Sequence, residues 1–236
     1  MSQKTMFKIQ IHATGSKGNA YSIIDGDRQI MIDPGIRFKL LQKATNFTLS
    51  KYDFFLLSHE HRDHSRSIVD LLRMGKNCYM SQGTRDSMGI LDSAALYISS
   101  QMPFARDGWQ VMPFEIEHDA AEPLGFLILS PSGKKILFAT DTCYIRFKFS
   151  GVTHWMVECN YSEEILVENT ELTDAVKDRI RASHFEIGNV KEFFAAQDLS
   201  ATEEIYLIHL SDHNSDAKKF VETIKNLTGT PIMSPQ

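Results

Sequence analysis

The chain has 236 residues, of which 42% are hydrophobic and 23% charged, as in an ordinary globular protein. Its net charge of −5 gives no global positive field, so a polyanionic substrate would need a local basic patch or bound metal. Three widely spaced cysteines argue against a disulfide framework, and no signal peptide or membrane-spanning run is recognised. We expect one domain over residues 1–236, located in the cytoplasm without membrane contact, and leave a homodimer open.

The first part of the chain predicts short strands joined by turns. Alternating apolar residues predict strands over residues 7–11, 21–24 and 29–32, the last two as a hairpin. A loop rich in glycine and small polar residues, Gly15–Asn19, lies between the first two strands. The third ends at Asp33-Pro34-Gly35, where the proline halts the ladder and the glycine permits a turn. A helix is expected over residues 36–44.

A dense group of polar residues follows the next predicted strand. The apolar run 54–57 is short enough for a buried strand, and three histidines and two carboxylates come directly after it: His59, Glu60, His61, Asp63 and His64. His59 and His61 can aim their imidazoles the same way where the chain is extended. Asp63 and His64 are adjacent, so we expect them to point apart and to serve a second centre. Imidazole and carboxylate ligands suit zinc or a similar divalent metal.

Strands and helices alternate through the rest of the chain. Apolar residues at helical spacing predict a helix from about Ile68, with Ser65 or Ser67 as its cap. One or two helices are expected between Thr84 and Ile98, and Ser162–Ala195 is predicted to be mostly helical with a break at 183–189. Further strands are expected over residues 78–80, 109–117, 126–129, 135–139, 155–157 and 205–208, before a helix to about residue 227 and a terminal strand.

Metal-competent residues stand at the tips of four predicted strands: the histidine loop, His118, Asp141 and His209. Two zinc ions need about six or seven protein ligands while leaving positions open for water and substrate. The chain offers His59, His61 and His118 for one ion. It offers Asp63, His64 and His209 for the other, with the Asp141 carboxylate as a bridge.

The ordered motifs resemble those of the metallo-β-lactamase superfamily. The signature of that family stands here as His59-Glu60-His61-Arg62-Asp63-His64, and Asp33-Pro34-Gly35 resembles its first motif. His118, Asp141 and His209 match the third, fourth and fifth motifs in order. The resemblance covers nearly the whole chain. It implies an α/β fold, the αββα four-layer sandwich, in which two mixed β-sheets lie face to face with helices outside and the dimetal site at one edge.

Smaller motifs narrow the branch of the superfamily. True β-lactamases have cysteine where Asp141 stands, so antibiotic hydrolysis is set aside. Segments 14–19, 118–125 and 209–211 resemble the small YycJ-like group, which is linked to nuclease activity. Ser183-His184 more distantly resembles the phosphodiesterase branch. The chain departs from the YycJ-like pattern at Glu158-Cys159-Asn160-Tyr161-Ser162, where that group has Glu-Ser-Asn-His-Asp, and around His184.

The resemblance implies an enzyme, a metal-dependent hydrolase with two divalent ions per chain, Zn²⁺ first and Mn²⁺ second. The leading hypothesis is a phosphodiesterase, most specifically a nuclease that acts on DNA or RNA through a metal-bridging hydroxide. A cyclic-nucleotide phosphodiesterase is the alternative, followed by a hydrolase of lactones, esters or thioesters. The expected partner is a nucleic acid or nucleotide phosphodiester.

Roles within the site follow from this hypothesis. Asp63 or Asp141 is predicted to orient the nucleophile, and Asp33 to accept a hydrogen bond from a ligand histidine. His184 is predicted to protonate the leaving group or bind phosphate, the alternative being a helix cap or surface histidine. Because backbone N–H groups and a lysine can hold phosphate, the substrate-binding candidates are Ser16, Lys17, Asn19, His184 and Ser211. The alternative for the glycine-rich loop is a plain turn.

Overall fold

The computed structural model describes residues 6–91 and 94–234. Its described residues divide into two compact units by their internal contacts. The first unit runs to Glu115 and includes Ala120–Leu124 and Leu129–Gly133, while the second comprises Ile116–Asp119, Gly125–Ile128 and the chain from Lys134 onward. Within the described residues, the strands belong to one six-stranded and one seven-stranded sheet. The single domain over residues 1–236 stays a prediction.

The six-stranded sheet lies in the first unit, with its strands in chain order: β1 (Phe7–Ala13), β2 (Ala20–Asp25), β3 (Arg28–Ile32), β4 (Phe54–Leu56), β5 (Cys78–Met80) and β6 (Ala95–Tyr97). β1, β2 and β3 pair antiparallel, whereas β3 to β6 run parallel. Ile32 pairs with Leu56, so β3 and β4 end at the same edge of the sheet. The residues after these two strands therefore meet.

Helices of the first unit are short: α1 (Phe38–Ala44), α2 (Arg62–Ser65), α3 (Ile68–Arg73) and α4 (Gln82–Ser87). Ser67 does precede α3, but its hydroxyl donates to Ile36 O at 2.6 Å and makes no capping bond. The expected helices between residues 84 and 98 are wrong in part, because α4 is followed by strand β6. Strand β7 (Phe104–Arg106), which pairs antiparallel with β8 (Trp109–Glu115), was not predicted; three residues are too few to show alternation.

Gly35 has a different function from the one its motif suggests. It does not adopt the left-handed conformation that a tight turn would require. A Cβ atom there would lie 1.7 Å from the carbonyl oxygen of Asp63. Only glycine lets the backbone after β3 approach the histidine loop this closely.

The second unit contains parallel strands that end at one edge: β10 (Lys135–Ala139), β11 (His154–Glu158), β12 (Glu204–Ile208) and β13 (Ile232–Met233). β9 (Leu124–Leu129) neighbours β10 through its residues Gly125–Ile128. β11 is buried along its whole length, so its sequence shows no alternation. Ala139 pairs with Val157 and Glu158 with Ile208, which places the tips of three strands side by side.

Four helices accompany these strands: α5 (Glu163–Glu168), α6 (Asp174–Ser183), α7 (Ile187–Ala195) and α8 (Ala217–Thr228). The predicted helical stretch is therefore broken twice, at 169–173 as well as at 184–186. The Asp216 carboxylate caps α8 by accepting from Lys219 N at 3.0 Å, and Gly229 ends it in the left-handed region. None of the helices in the described ranges is long and apolar enough to cross a membrane.

Candidate metal centre

The histidine loop of the first unit gathers three imidazoles immediately after β4. The ring centroid of His59 lies 4.7 Å from that of His61 and 4.2 Å from that of His64. His59 and His64 are completely buried. Three imidazoles this close together, packed against a rigid strand end, form a ready set of nitrogen ligands.

Asp33 organises two of these histidines. Its Oδ2 accepts from His64 Nδ1 at 2.9 Å and from Ser58 Oγ at 2.8 Å, while its Oδ1 accepts from Ser58 N at 2.8 Å. The predicted bond from a ligand histidine to Asp33 is confirmed. Because the Ser58 hydroxyl gives its proton to Asp33, it accepts from His59 Nδ1 at 2.9 Å. Both rings therefore carry their proton on Nδ1.

Asp63 and His64 lie closer together than their adjacency suggests. We expected their side chains to point apart, but Asp63 Oδ2 is 3.3 Å from His64 Nε2. The expectation is wrong because both residues belong to the short helix α2, where successive side chains diverge by much less than across a strand. The pair can address one ion together, as the shared-centre prediction requires.

Asn19 lies at the base of this pair. It is fully buried, and its side-chain amide is 3.1 Å from His64 Nε2 and 3.3 Å from Asp63 O. Its Oδ1 accepts from Gly15 N and from the Tyr21 hydroxyl, both at 2.9 Å. The structure thus gives Asn19 a bracing position under the loop, and its binding of substrate stays a prediction.

In the second unit, Asp141 and His209 follow strands β10 and β12. Both have a positive φ, 48° and 53°, as does Asp33 at 51° in the first unit. Non-glycine residues pay about 1–3 kcal/mol for such backbone, and the strain clusters where a side chain must be aimed. Asp141 Oδ1 is 3.3 Å from His209 Nδ1 and accepts from Thr140 Oγ1 at 2.8 Å.

Glu158, at the tip of β11, is the residue that sequence reasoning missed. It is fully buried, and its Oε1 accepts from His184 Nδ1 at 2.7 Å and from His209 Nδ1 at 2.9 Å. Its Oε2 accepts from the backbone of Thr142 at 2.8 Å and of Phe185 at 3.2 Å. Burial raises the pKa of Glu158, but the charge and hydrogen bonds of the two histidines outweigh it, so the pKa lies below its usual value.

His184 joins α6 to α7 and lies in this cluster, not at the free surface. Its ring stacks on that of His209 with centroids 5.5 Å apart, and its side chain is 20% exposed. Burial lowers the pKa of His184, whereas the Glu158 carboxylate raises it by more, so the pKa lies above its usual value. Since Nδ1 donates to Glu158, Nε2 is the nitrogen left to face a ligand.

His118, after β8, completes the second set. Its Nδ1 donates to Ser183 O at 3.0 Å, and its Nε2 lies 3.7 Å from Asp141 Oδ2. Burial lowers the pKa of His118 despite the nearby Asp141 carboxylate. A neutral imidazole with its proton on Nδ1 is the form that binds metal.

The second unit's residues also meet the geometric requirement for an ion. Asp141, Glu158, His184 and His209 each offer one ligand atom, and these atoms all lie within 4.8 Å of one another. Glu158 already accepts four hydrogen bonds, which suits it to orient the histidines more than to bind metal itself. Five imidazoles across the two units carry their proton on Nδ1 and present Nε2: His59, His64, His118, His184 and His209. This donor set fits a divalent metal.

Other predicted binding residues lie in loops. Ser16 and Lys17 are exposed in the glycine-rich loop of the first unit. The Ser211 hydroxyl, two residues beyond His209, accepts from Asn214 N at 3.2 Å and so shapes its own turn. The binding roles of these three residues stay predictions.

Comparison with known proteins places the chain in a family. The Beta-lactamase superfamily domain matches residues 28–210, so the chain belongs to this superfamily. Solved structures show the metallo-β-lactamase fold. The YhfI protein of Bacillus subtilis superposes with a TM-score of 0.75 at 15% identity, covering 98% of this chain and 97% of its own. The αββα fold class predicted from the sequence is confirmed.

Individual relatives are more specific. The chain is 26% identical over 229 residues to the exodeoxyribonuclease WalJ of Streptococcus pneumoniae, covering 89% of this chain and 83% of the relative. It resembles the short form of human tRNase Z with a TM-score of 0.63 at 12% identity, covering 98% and 96% of the two chains. The predicted resemblance to the YycJ-like hydrolases is confirmed, and the chain is a metal-dependent hydrolase.

Proposed function

We propose that this hydrolase is a dinuclear phosphodiesterase, and within that class a nuclease acting on DNA or RNA. The observation that carries the proposal is the shared tautomer of five imidazoles. Each donates from Nδ1 to a partner in its own unit, which leaves Nε2 to bind an ion or a phosphate oxygen. The similarity to an exodeoxyribonuclease favours a nucleic acid as substrate.

Seven residues are proposed to hold the metals. His59, His61 and His118 serve one ion, and Asp63, His64 and His209 the other. Asp141 bridges the two with its carboxylate. Mixed nitrogen and oxygen ligands favour Zn²⁺, with Mn²⁺ second. When bound, such ions lower the pKa of water to near neutrality and neutralise the phosphodiester oxygens.

The chain's own residues then position the reactants. Asp63 or Asp141 orients the attacking water in line with phosphorus and accepts its proton. As the new P–O bond forms, the bond to the leaving oxygen breaks. His184, whose ring is fixed by Glu158 through Nδ1, gives a proton to that oxygen from Nε2. The products are a phosphomonoester and an alcohol.

A cyclic-nucleotide phosphodiesterase is the second candidate. The net charge of −5 favours a small substrate over a long polyanion. Hydrolysis of a lactone, ester or thioester ranks third, because it would leave the phosphate-facing His184 without a task. A cytoplasmic location and a homodimer also remain predictions.

A substrate screen tests the proposal. The metal-loaded protein is assayed on bis-p-nitrophenyl phosphate, linear DNA, linear RNA, cyclic mononucleotides and a lactone. We expect turnover of bis-p-nitrophenyl phosphate and of at least one linear nucleic acid. Hydrolysis of the lactone alone would overturn the phosphodiesterase, and preference for the cyclic nucleotide would move the second candidate to first place.

Metal content and stability provide a test that does not depend on substrate. Elemental analysis of protein purified without chelator and reloaded with zinc or manganese should find close to two ions per chain. Removing them should lower the melting temperature by several degrees, because an ion that binds only the folded state adds to its stability. One ion or none after reloading, or an unchanged melting curve after confirmed metal loss, would contradict the dinuclear centre.

A further inference from the structure

A cleft of about 160 Å³ lies beside Asp63 in the first unit. Its lining consists of Ser16, Lys17, Arg62, Asp63 and Arg66. Three of these five residues are cationic, although the chain as a whole carries a net charge of −5. Asp63, the one acidic member, is also a proposed metal ligand. The cleft is therefore a local basic patch adjoining the proposed centre.

Arg62 and Arg66 differ from the paired arginines of the molecule. Arg28 pairs with Asp53 and Arg181 with Glu163, at 3.0 Å and 2.6 Å. Among the residues that the structure describes, no carboxylate lies within ion-pair distance of the guanidinium groups of Arg62 or Arg66. Each retains donors arranged in a fork that matches a phosphate group.

The sequence spacing of the two arginines makes this arrangement costly by itself. Arg66 follows Arg62 by four residues and continues the α-helical backbone of α2, so the two cations lie on the same helical face. Like charges at this spacing destabilise a helix by about 0.2–0.5 kcal/mol. Two facing cations without a local counterion, next to a cleft that a lysine also lines, are the features of an anion site.

We infer that Lys17, Arg62 and Arg66 bind a phosphate of the substrate strand other than the one being cleaved. This inference rests on the proposed function and sharpens it. A cyclic mononucleotide has a single phosphate, which the reaction itself occupies, so it gains nothing from a second phosphate site. A nucleic-acid strand carries a neighbouring phosphate for the cleft. The substrate class that the cleft selects is therefore a polynucleotide.

The double variant Arg62→Gln/Arg66→Gln tests the cleft, with binding and turnover measured separately. Affinity for a fluorescent oligothymidylate is recorded as a function of salt, using protein of verified metal content. Each lost phosphate contact on a single strand lowers the slope of log K against log salt by about 0.7, so the variant should lose about 1.4. The ratio of kcat/KM for the oligonucleotide to that for bis-p-nitrophenyl phosphate should fall about tenfold or more, chiefly through KM.

Two further variants separate the site from general charge effects. Lys39→Gln/Lys43→Gln removes two exposed positive charges, also four residues apart, from α1 of the same unit. It should keep the salt slope and the substrate ratio of the natural chain. Arg62→Lys/Arg66→Lys, which keeps the charges, should recover most of the slope but less of the affinity.

The outcomes distinguish this inference from the proposed function. If the natural chain cleaves oligonucleotides and the glutamine variant keeps both slope and ratio, the cleft is not a phosphate site, while the nuclease stands. If the natural chain cleaves no phosphodiester, the nuclease falls, and the salt slope of binding still decides the fate of the cleft. Equal losses in the lysine control, or no oligonucleotide binding by the natural chain, would overturn the inference.

Discussion

The two units of the molecule orient their histidines in the same way, with one buried carboxylate each. In the first unit, Asp33 holds His64 directly and His59 through the Ser58 hydroxyl. In the second, Glu158 holds both of its histidines directly. Both carboxylates lie at the end of a parallel strand and are completely buried. The chemical result, a proton on Nδ1 and a lone pair on Nε2, is identical.

The units differ in how they assemble these groups. The first unit takes its ligands from one loop of six residues, His59–His64, braced by the close passage of Gly35. The second unit collects residues that are far apart in sequence, because neighbouring parallel strands end at one edge of a sheet. A contiguous loop can be recognised from its residues. A set of strand tips becomes visible only when the strand order is known.

Asp141→Ala should have the largest effect and can break the comparison between the units. If the two histidine sets serve one centre, loss of the proposed bridge will disturb metal occupancy and abolish turnover together. Metal content by elemental analysis and the rate on bis-p-nitrophenyl phosphate measure both. Asp178→Ala, which removes an exposed carboxylate paired with Arg181, is the control. A variant that retains two ions and turns over normally would show that Asp141 bridges nothing.

His184→Ala should leave both ions in place and slow phosphodiester cleavage by about 10²–10⁴-fold. If His184 protonates the leaving oxygen, the loss should be large for a nucleoside hydroxyl. It should be small for p-nitrophenolate, which departs without a proton. A group that only positions phosphate would instead cost both substrates similarly, mainly through KM.

His213→Ala serves as the matched control, because His213 is an exposed histidine of the same unit. It should behave as the natural chain on both substrates. Full activity of the His184→Ala variant would reduce His184 to a structural residue. Loss of metal in that variant would instead identify His184 as a ligand, which the clustering of its ring nitrogen with Asp141 and His209 also permits.

The sequence predicted the fold class, most strands and the bond to Asp33, because short apolar runs ended in recognisable polar motifs. It misplaced β6 and missed β7, which are too short to show a period. Glu158 was missed although it ends a buried run, as Asp141 and His209 nearly do. The predicted strand stopped at Val157, one residue early. Its four hydrogen bonds depend on Thr142 and on the two histidines, which only the folded sheet brings to it.

Paired substitutions of the two organising carboxylates should give a smaller effect and sharpen the comparison. In Asp33→Asn, the new amide must donate toward Ser58 and His64, so His64 keeps a hydrogen bond only by moving its proton to Nε2. The Ser58 hydroxyl then donates to His59, which changes in the same way. We expect metal affinity to fall about 10–100-fold, the usual cost of losing a partner that orients a ligand.

Glu158→Gln should produce the mirror image. Its remaining oxygen can satisfy the backbone donors of Thr142 and Phe185, which cannot reorient, so the amide faces His184 and His209 and moves their protons to Nε2. Long-range ¹H–¹⁵N NMR of the metal-free proteins reads each tautomer directly. Asp25→Asn, a buried carboxylate bound to Ser132 N, is the control and should change no histidine. If either variant altered the histidines of both units equally, or of neither, the two carboxylates would not act separately on their own sets.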